Sequence, residues 1–332
     1  NLNLKPGGYD AGDAVTGELF FDTRREIHCM SITVELVGMV NVGWSKDVYH
    51  KRTRYDSSPR YSHTEVYQGN KLIMTNYVVL SGECLIPPGQ YTRKFALRIL
   101  KEALPSFSGV HGSIKYTLTG SLNRAKTKDR DEVTKMELMV RGQYDLNTVR
   151  GAATPFEAHD YVETRRCCGT YGQIKVQLLM PKMGLVLGEE VEVVANVENC
   201  SSTTVTGLDF KLFEYLTFTA KCDRKKRMLK TSPIQRGSVS TKVTVKPKSK
   251  EKVSLTLKIP ANIPPDFFCK HITNHHFLDL DVKTKGANPV NPVLTIPVRI
   301  GTIPVKVNST TLAEGSGQKS ETKSDSSETI VV

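Results

Sequence analysis

The chain has 332 residues, 39% of them hydrophobic and 24% charged, and its formal net charge is +12. That length favours two domains over one, and the apolar fraction suffices for sizeable cores. No run approaches ~18 consecutive apolar residues, so no membrane-spanning helix is expected, and no basic-then-apolar opening resembles a signal peptide, although the first residue is Asn1 and not Met.

The positive balance favours acidic partners: lipid headgroups, phosphorylated peptides or nucleic acid. Seven cysteines, Cys29, Cys84, Cys167, Cys168, Cys200, Cys222 and Cys269, are odd in number and contain no C-x-x-C pair. They are read as reduced cytosolic thiols.

In chain order, the first phrase to stand out is "GGYDAGDAV", Gly7 to Val15. It returns as "MGLVLGEEV", Met183 to Val191, with Gly8 matching Gly184, Gly12 matching Gly188, Asp13 matching Glu189 and Val15 matching Val191. Between the copies, "SITVELVG", "RKFALRI", "IKYTLTGSL" and "KMELMV" alternate apolar and polar residues. Alternation is the mark of a strand with one buried face. "LRILKEALP" is expected to form a single turn before Pro105 stops it.

Residues 143–171 have mixed polarity and no period, and are expected to connect two domains. "IKVQLLM", "VEVVANV", "LDFKLFEYLTFT", "KVSLTLKI" and "FLDLDV" then alternate again. Each copy of the doubled phrase thus opens a set of strands. The fold class expected is all-β: two immunoglobulin-like β-sandwich lobes in tandem, residues 1–150 and 151–305, with 151–171 as the connection. The Ser-, Thr-, Gly- and Lys-rich stretch 306–332 cannot bury enough apolar surface to offset its ordering entropy and is expected to be disordered.

Several motifs together resemble the arrestin family. "KPGGYDAGDAVTGELFF" is similar to the opening strands of arrestin-fold proteins, with Tyr9, Gly12, Asp13, Val15 and Gly17 in a Y-x-x-G-D-x-V-x-G pattern. "LIPPGQYTRKFALRI" and "ALPSFSGVHGSIKYTLTGSL" resemble two further elements of the first lobe. "GQIKVQLLMPKMGLVLGEEVEVVANVENCSS" resembles the start of the second lobe. "NPVNPVLTIPVRIGTIPV" resembles its closing strand, most closely that of the α-arrestins (arrestin domain-containing proteins). "VGWSKDVYHKRTRYDSSPRYSHTEVY" fits a variable surface loop of that group. The strand that precedes "PGGY" in the family is expected to be missing.

The resemblance implies a cytosolic adaptor and not an enzyme, with no cofactor. It would bind cytosolic tails of transmembrane receptors or transporters at the plasma membrane and endosomes. It would link them to ubiquitination, endocytosis and sorting through a HECT-type ubiquitin ligase. The ligase is normally recruited through P-P-x-Y motifs, and the sequence has none. A stable coat subunit of retromer type is the alternative. An extracellular immunoglobulin-like protein is a more distant one, suggested by Cys29, Trp44 and Cys84, whose spacing suits an inter-sheet disulfide packed on tryptophan.

Candidate contact residues come from the pattern itself. The run "KCDRKKRMLK" holds Lys221, Arg224, Lys225, Lys226, Arg227 and Lys230, suited to anionic lipid or an acidic cargo tail. "KPKSKEK", Lys246 to Lys252, is expected to be a plain turn. Basic residues interleaved with tyrosines between Lys46 and Lys71 suit single-stranded nucleic acid in principle, but the resemblance explains them as a loop, and no nucleic-acid partner is expected. His271, His275 and His276 fall in an extended segment, where their spacing does not converge on a metal. Cys167 and Cys168, beside Arg165 and Arg166, are candidates for lipidation. Ile330 and Val332 offer a PDZ-type C-terminus.

Overall fold

The computed structural model describes residues 1–4, 7–49, 62–124, 132–166, 169–285 and 294–306. Nearly all of them lie in strands. The first lobe comprises β1 (Leu2–Leu4), β2 (Tyr9–Asp10), β3 (Ala14–Thr23), β4 (Ile27–Tyr49), β5 (Ser62–Ser81), β6 (Cys84–Ile86), β7 (Gly89–Arg98), β8 (Phe107–Gly109), β9 (Gly112–Arg124), β10 (Glu132–Leu138) and β11 (Val140–Arg141). The second comprises β12 (Phe156–Arg166), β13 (Gly169–Met180), β14 (Gly184–Val186), β15 (Glu190–Asn199), β16 (Val205–Lys221), β17 (Arg227–Val245), β18 (Ser249–Lys258), β19 (Phe267–Phe268), β20 (Ile272–Thr284) and β21 (Leu294–Gly301). Among the described residues no helix is long and apolar enough to cross a membrane.

Each lobe is a sandwich. In the first, the sheet β1–β3–β7 faces the sheet β10–β9–β4–β5. In the second, β12–β13–β15–β18 faces β17–β16–β20–β21–β14. The alternation read from the sequence is what fills the cores. Ile32, Val34 and Leu36 of β4 are buried in one, and Ile174, Val176 and Leu178 of β13 in the other.

The doubled phrase has a structural counterpart. Tyr9 of β2 pairs in parallel with Val140 of β11, and Leu185 of β14 pairs in parallel with Ile300 of β21. In each lobe, therefore, the opening segment closes against the last strand. Gly12 and Gly188 then turn the chain at φ +94° and +80°, a left-handed region that favours glycine. The following acid locks the turn. Asp10 N–H donates to Asp13 Oδ2 at 2.8 Å, and Val186 N–H donates to Glu189 Oε2 at 2.8 Å.

The two lobes are not two separate units. Lys221 of β16 pairs with Gln68 of β5, which joins the lobes' larger sheets into one. Leu208, Phe210 and Leu212 of β16 belong to the second core, whereas Leu216, Phe218 and Ala220 of the same strand belong to the first. Phe267 of β19 and Ile272 of β20 also pack in the first core.

Four expectations need correction. The strand before "PGGY" is present: Leu2, Asn3 and Leu4 pair with Leu19, Glu18 and Gly17. Part of the 143–171 connection is regular, since Phe156–Arg166 forms edge strand β12 on β13. The ends of the tyrosine-rich segment are strand, because β4 runs to Tyr49 and β5 begins at Ser62, and residues 50–61 lie outside the described residues. Finally, Cys29 and Cys84 face each other on adjacent strands of one sheet, as free thiols. They cannot tie two sheets together, and Trp44 stacks on Tyr67 instead.

Two other expectations hold in outline. Leu100 O accepts a hydrogen bond from Ala103 N–H at 3.1 Å, which gives the single turn before Pro105. Lys246, Pro247 and Lys248 form the turn between β17 and β18, although Ser249 to Lys252 already belong to β18.

Candidate partner-binding site

The basic run forms the tip of the β16–β17 hairpin. Lys221 and Arg227 are its last cross-strand pair, and Lys225 N–H donates to Cys222 O at 2.8 Å to close the turn. Lys225 sits at φ 60°, so a lysine carries a left-handed conformation here. The tip is held against the first lobe by two of its own cations. Lys226 Nζ lies 3.4 Å from Glu65 Oε1, and Lys230 Nζ lies 5.5 Å from the centroid of the Trp44 ring. Such a cation–π contact contributes roughly 0.5–1 kcal/mol at an exposed site.

Glu65 is itself positioned from behind. Tyr67 donates its phenolic O–H to Glu65 Oε2 at 2.7 Å. That bond, with Lys226, holds the Glu65 carboxyl below its ordinary value and pushes the Tyr67 phenol up to about 12. The arrangement leaves four cations, Lys221, Arg224, Lys225 and Arg227, exposed and without an ion pair among the described residues. Leu229 lies beside them, 56% exposed. The six candidates therefore divide into two anchors and four free charges. Cys167, Cys168, Ile330 and Val332 lie outside the described residues, as does the tail beyond Lys306.

Charge also sits where the sequence reading did not place it. Glu214 occupies the core-facing register of β16 between Leu212 and Leu216, at the boundary of the two cores. It is fully buried and paired with Arg236 of β17. Opposite it on β20 is His276, whose Nδ1 lies 2.7 Å from Asp266 Oδ1. Asn274 donates to Pro265 O at 3.0 Å. A buried polar layer thus separates the two apolar cores. Its signal in the sequence is one acid at an apolar position of "LDFKLFEYLTFT".

The three noted histidines engage protein partners: His271 Nδ1 is 2.9 Å from Thr219 O, and His275 Nδ1 is 3.1 Å from Arg299 Nη1. Burial lowers the His275 value from its ordinary one. Among the described residues no group of three or more His, Cys, Asp or Glu side chains is arranged to hold a metal ion.

Two tandem sandwiches, each opened by the same glycine turn and joined through shared strands, define a class. The family description "Arrestin (or S-antigen), N-terminal domain" matches residues 1–147, and "Arrestin (or S-antigen), C-terminal domain" matches residues 170–305. The chain belongs to the arrestin family. Within it, the relatives are α-arrestins. The chain is 24% identical to human (Homo sapiens) Arrestin domain-containing protein 4 over 301 residues, covering 90% of this chain and 69% of that protein. It is 26% identical to Arrestin domain-containing protein 17 of Caenorhabditis elegans over 314 residues, covering 91% and 70%.

Proposed function

We propose that this chain is an adaptor that holds acidic cytosolic segments of transmembrane receptors or transporters and links them to ubiquitination, endocytosis and endosomal sorting. The observation that carries the proposal is the β16–β17 tip. Four exposed cations, without an ion pair among the described residues, project from a hairpin tip braced on the first lobe by Lys226 and Lys230. Bracing lowers the ordering cost of binding, and clustered positive charge accelerates encounter with an acidic partner. Membership of the arrestin family and relatives named as arrestin domain-containing proteins support the adaptor class. The working location would be the cytoplasm, with recruitment to plasma membrane and endosomes, and a HECT-type ligase would be a second partner.

The test is proximity labelling in cells with the parent chain and with Arg224→Glu/Lys225→Glu/Arg227→Glu, a variant that leaves both anchors in place. Labelling of membrane proteins by the parent and its loss in the variant support the proposal. Unchanged labelling by the variant removes the hairpin from it. Labelling of neither membrane nor trafficking proteins by the parent ends the adaptor reading.

A further inference from the structure

Two cysteines of the first lobe lie directly opposite each other. Cys29 of β4 is the register partner of Cys84 of β6. Directly opposed residues of an antiparallel pair share one face of the sheet. Here that face is the core side. Ile27 and Ile86, the pair two positions away, are both buried, whereas Leu85, partner of His28 in the pair between, points outward with 62% exposure. Cys29 is wholly buried in the first core, and half-buried Cys84 packs against the same core. Both are free thiols.

The two sulfurs differ in access. Burial first, and the Cys84 sulfur second, push the Cys29 thiol up, so it stays protonated. Cys84 instead follows a turn whose Gly82 and Glu83 are exposed, with open space beside Gly82. Ser81 Oγ lies 3.4 Å from Cys84 Sγ and can donate to a thiolate there. A small oxidant therefore reaches Cys84 before Cys29. The Cβ atoms of directly opposed residues stand ~4.5–5.5 Å apart, and a disulfide needs about 3.5–4.5 Å. The pair has to close by about 1 Å. β6 has three residues and, among the described residues, pairs on one side only, so it is the strand that can give way.

We propose that Cys29 and Cys84 form a reversible thiol–disulfide site, oxidised by hydrogen peroxide. The Cys84 thiolate attacks one peroxide oxygen. The O–O bond breaks, hydroxide leaves, and Cys84 becomes a sulfenic acid. The Cys29 sulfur then attacks the Cys84 sulfur. The S–O bond breaks, the S–S bond forms, and the hydroxyl departs as water with the Cys29 proton. The two sulfurs together give up two electrons, and the peroxide is reduced to water. A bond forced across opposed strand positions is strained, and strain makes a disulfide easier to reduce, so a thiol such as glutathione reopens it. The closed bond encloses all of β5 and β4 beyond Cys29, including Trp44 and Glu65, which receive the two anchors of the β16–β17 tip. The site does not depend on the adaptor reading.

The experiment treats the folded chain with a small molar excess of hydrogen peroxide, blocks remaining thiols with N-ethylmaleimide, and maps peptides by mass spectrometry without reductant. Trypsin places the two cysteines in separate peptides, residues 26–46 and 72–93, each holding one cysteine. The expected product is these two peptides joined, about 2 Da below the sum of their free masses. Glutathione should return both thiols. Cys29→Ala should leave Cys84 as a sulfenic acid that dimedone traps, and Cys84→Ser, at a half-buried position that keeps the core intact, should leave Cys29 reduced. Three results would overturn the proposal. Both thiols may stay free while exposed Cys200 is oxidised, which would make them core filling only. Cys84 may join a different cysteine. The 29–84 bond may form only in denaturant, where the register that pairs the sulfurs is gone.

Discussion

Replacing Glu214 tests whether the polar layer between the cores is a cost or a support. Glu214→Ala leaves Arg236 without its counterion and opens a void between Leu212 and Leu216. Breaking a buried pair typically costs 3–5 kcal/mol; the Arg236 side chain keeps 30% exposure and can rehydrate, so the lower end, about 3 kcal/mol, is expected. Glu214→Leu/Arg236→Met removes both charges and joins the two apolar stripes of β16. Glu214 Oε1 has no hydrogen-bond partner among the described residues, so its desolvation is only half compensated. The double variant should therefore equal or exceed the parent, by up to about 1–4 kcal/mol. Differential scanning calorimetry reads both effects, at roughly 2 °C per kcal/mol for a chain of this size. A single variant melting within about 1 °C of the parent, or a double variant less stable than the single one, would refute the reasoning.

Asn199 is fully buried and makes four hydrogen bonds, donating to Thr203 O and Val245 O and accepting from the N–H and O–H of Ser201. Asn199→Ala should lower stability by about 2–3 kcal/mol in thermal melts, and a loss below 1 kcal/mol would show that the loop reorganises. Gly12→Ala and Gly188→Ala each place a Cβ in the left-handed region and should each cost about 1–2 kcal/mol by the same assay. Asp279 has its carboxyl value raised by burial first and by neighbouring Asp281 second. The folded state then binds that proton more tightly than the unfolded one, so the destabilisation is present above the raised value and relieved as pH falls through it. Asp279→Asn should accordingly raise the melting temperature more at pH 7.5 than in acid; a pH-independent change would contradict the assignment.

The strands that alternate cleanly were readable because one face of each meets a core. Val253, Leu255 and Leu257 on β18 are an example, as is the doubled turn whose glycine and acid recur in both lobes. β12 escaped because it is an edge strand: its outward residues His159 and Tyr161 are exposed, and so is inward Asp160, so neither face is uniformly apolar. The three-residue β1 is too short to show a period. The hairpin tip was visible because its charges are consecutive. The buried polar layer was not, because Glu214, Arg236, His276 and Asp266 become neighbours only through the pairing of β16 with β17 and β20.

The placement of Leu216, Phe218, Ala220, Phe267 and Ile272 in the first core has a consequence for synthesis. A chain leaving the ribosome has delivered every strand of the first lobe by Arg141, yet that lobe's interior is still missing these five side chains and that of Cys222. Its core cannot close until Ile272 has emerged, by which time most of the second lobe is also present. Up to that moment the nascent first lobe exposes the apolar surface that Phe218 and its neighbours will cover. Completion of the two lobes is thus a single late event, and the interval before it is when a chaperone would have most to hold.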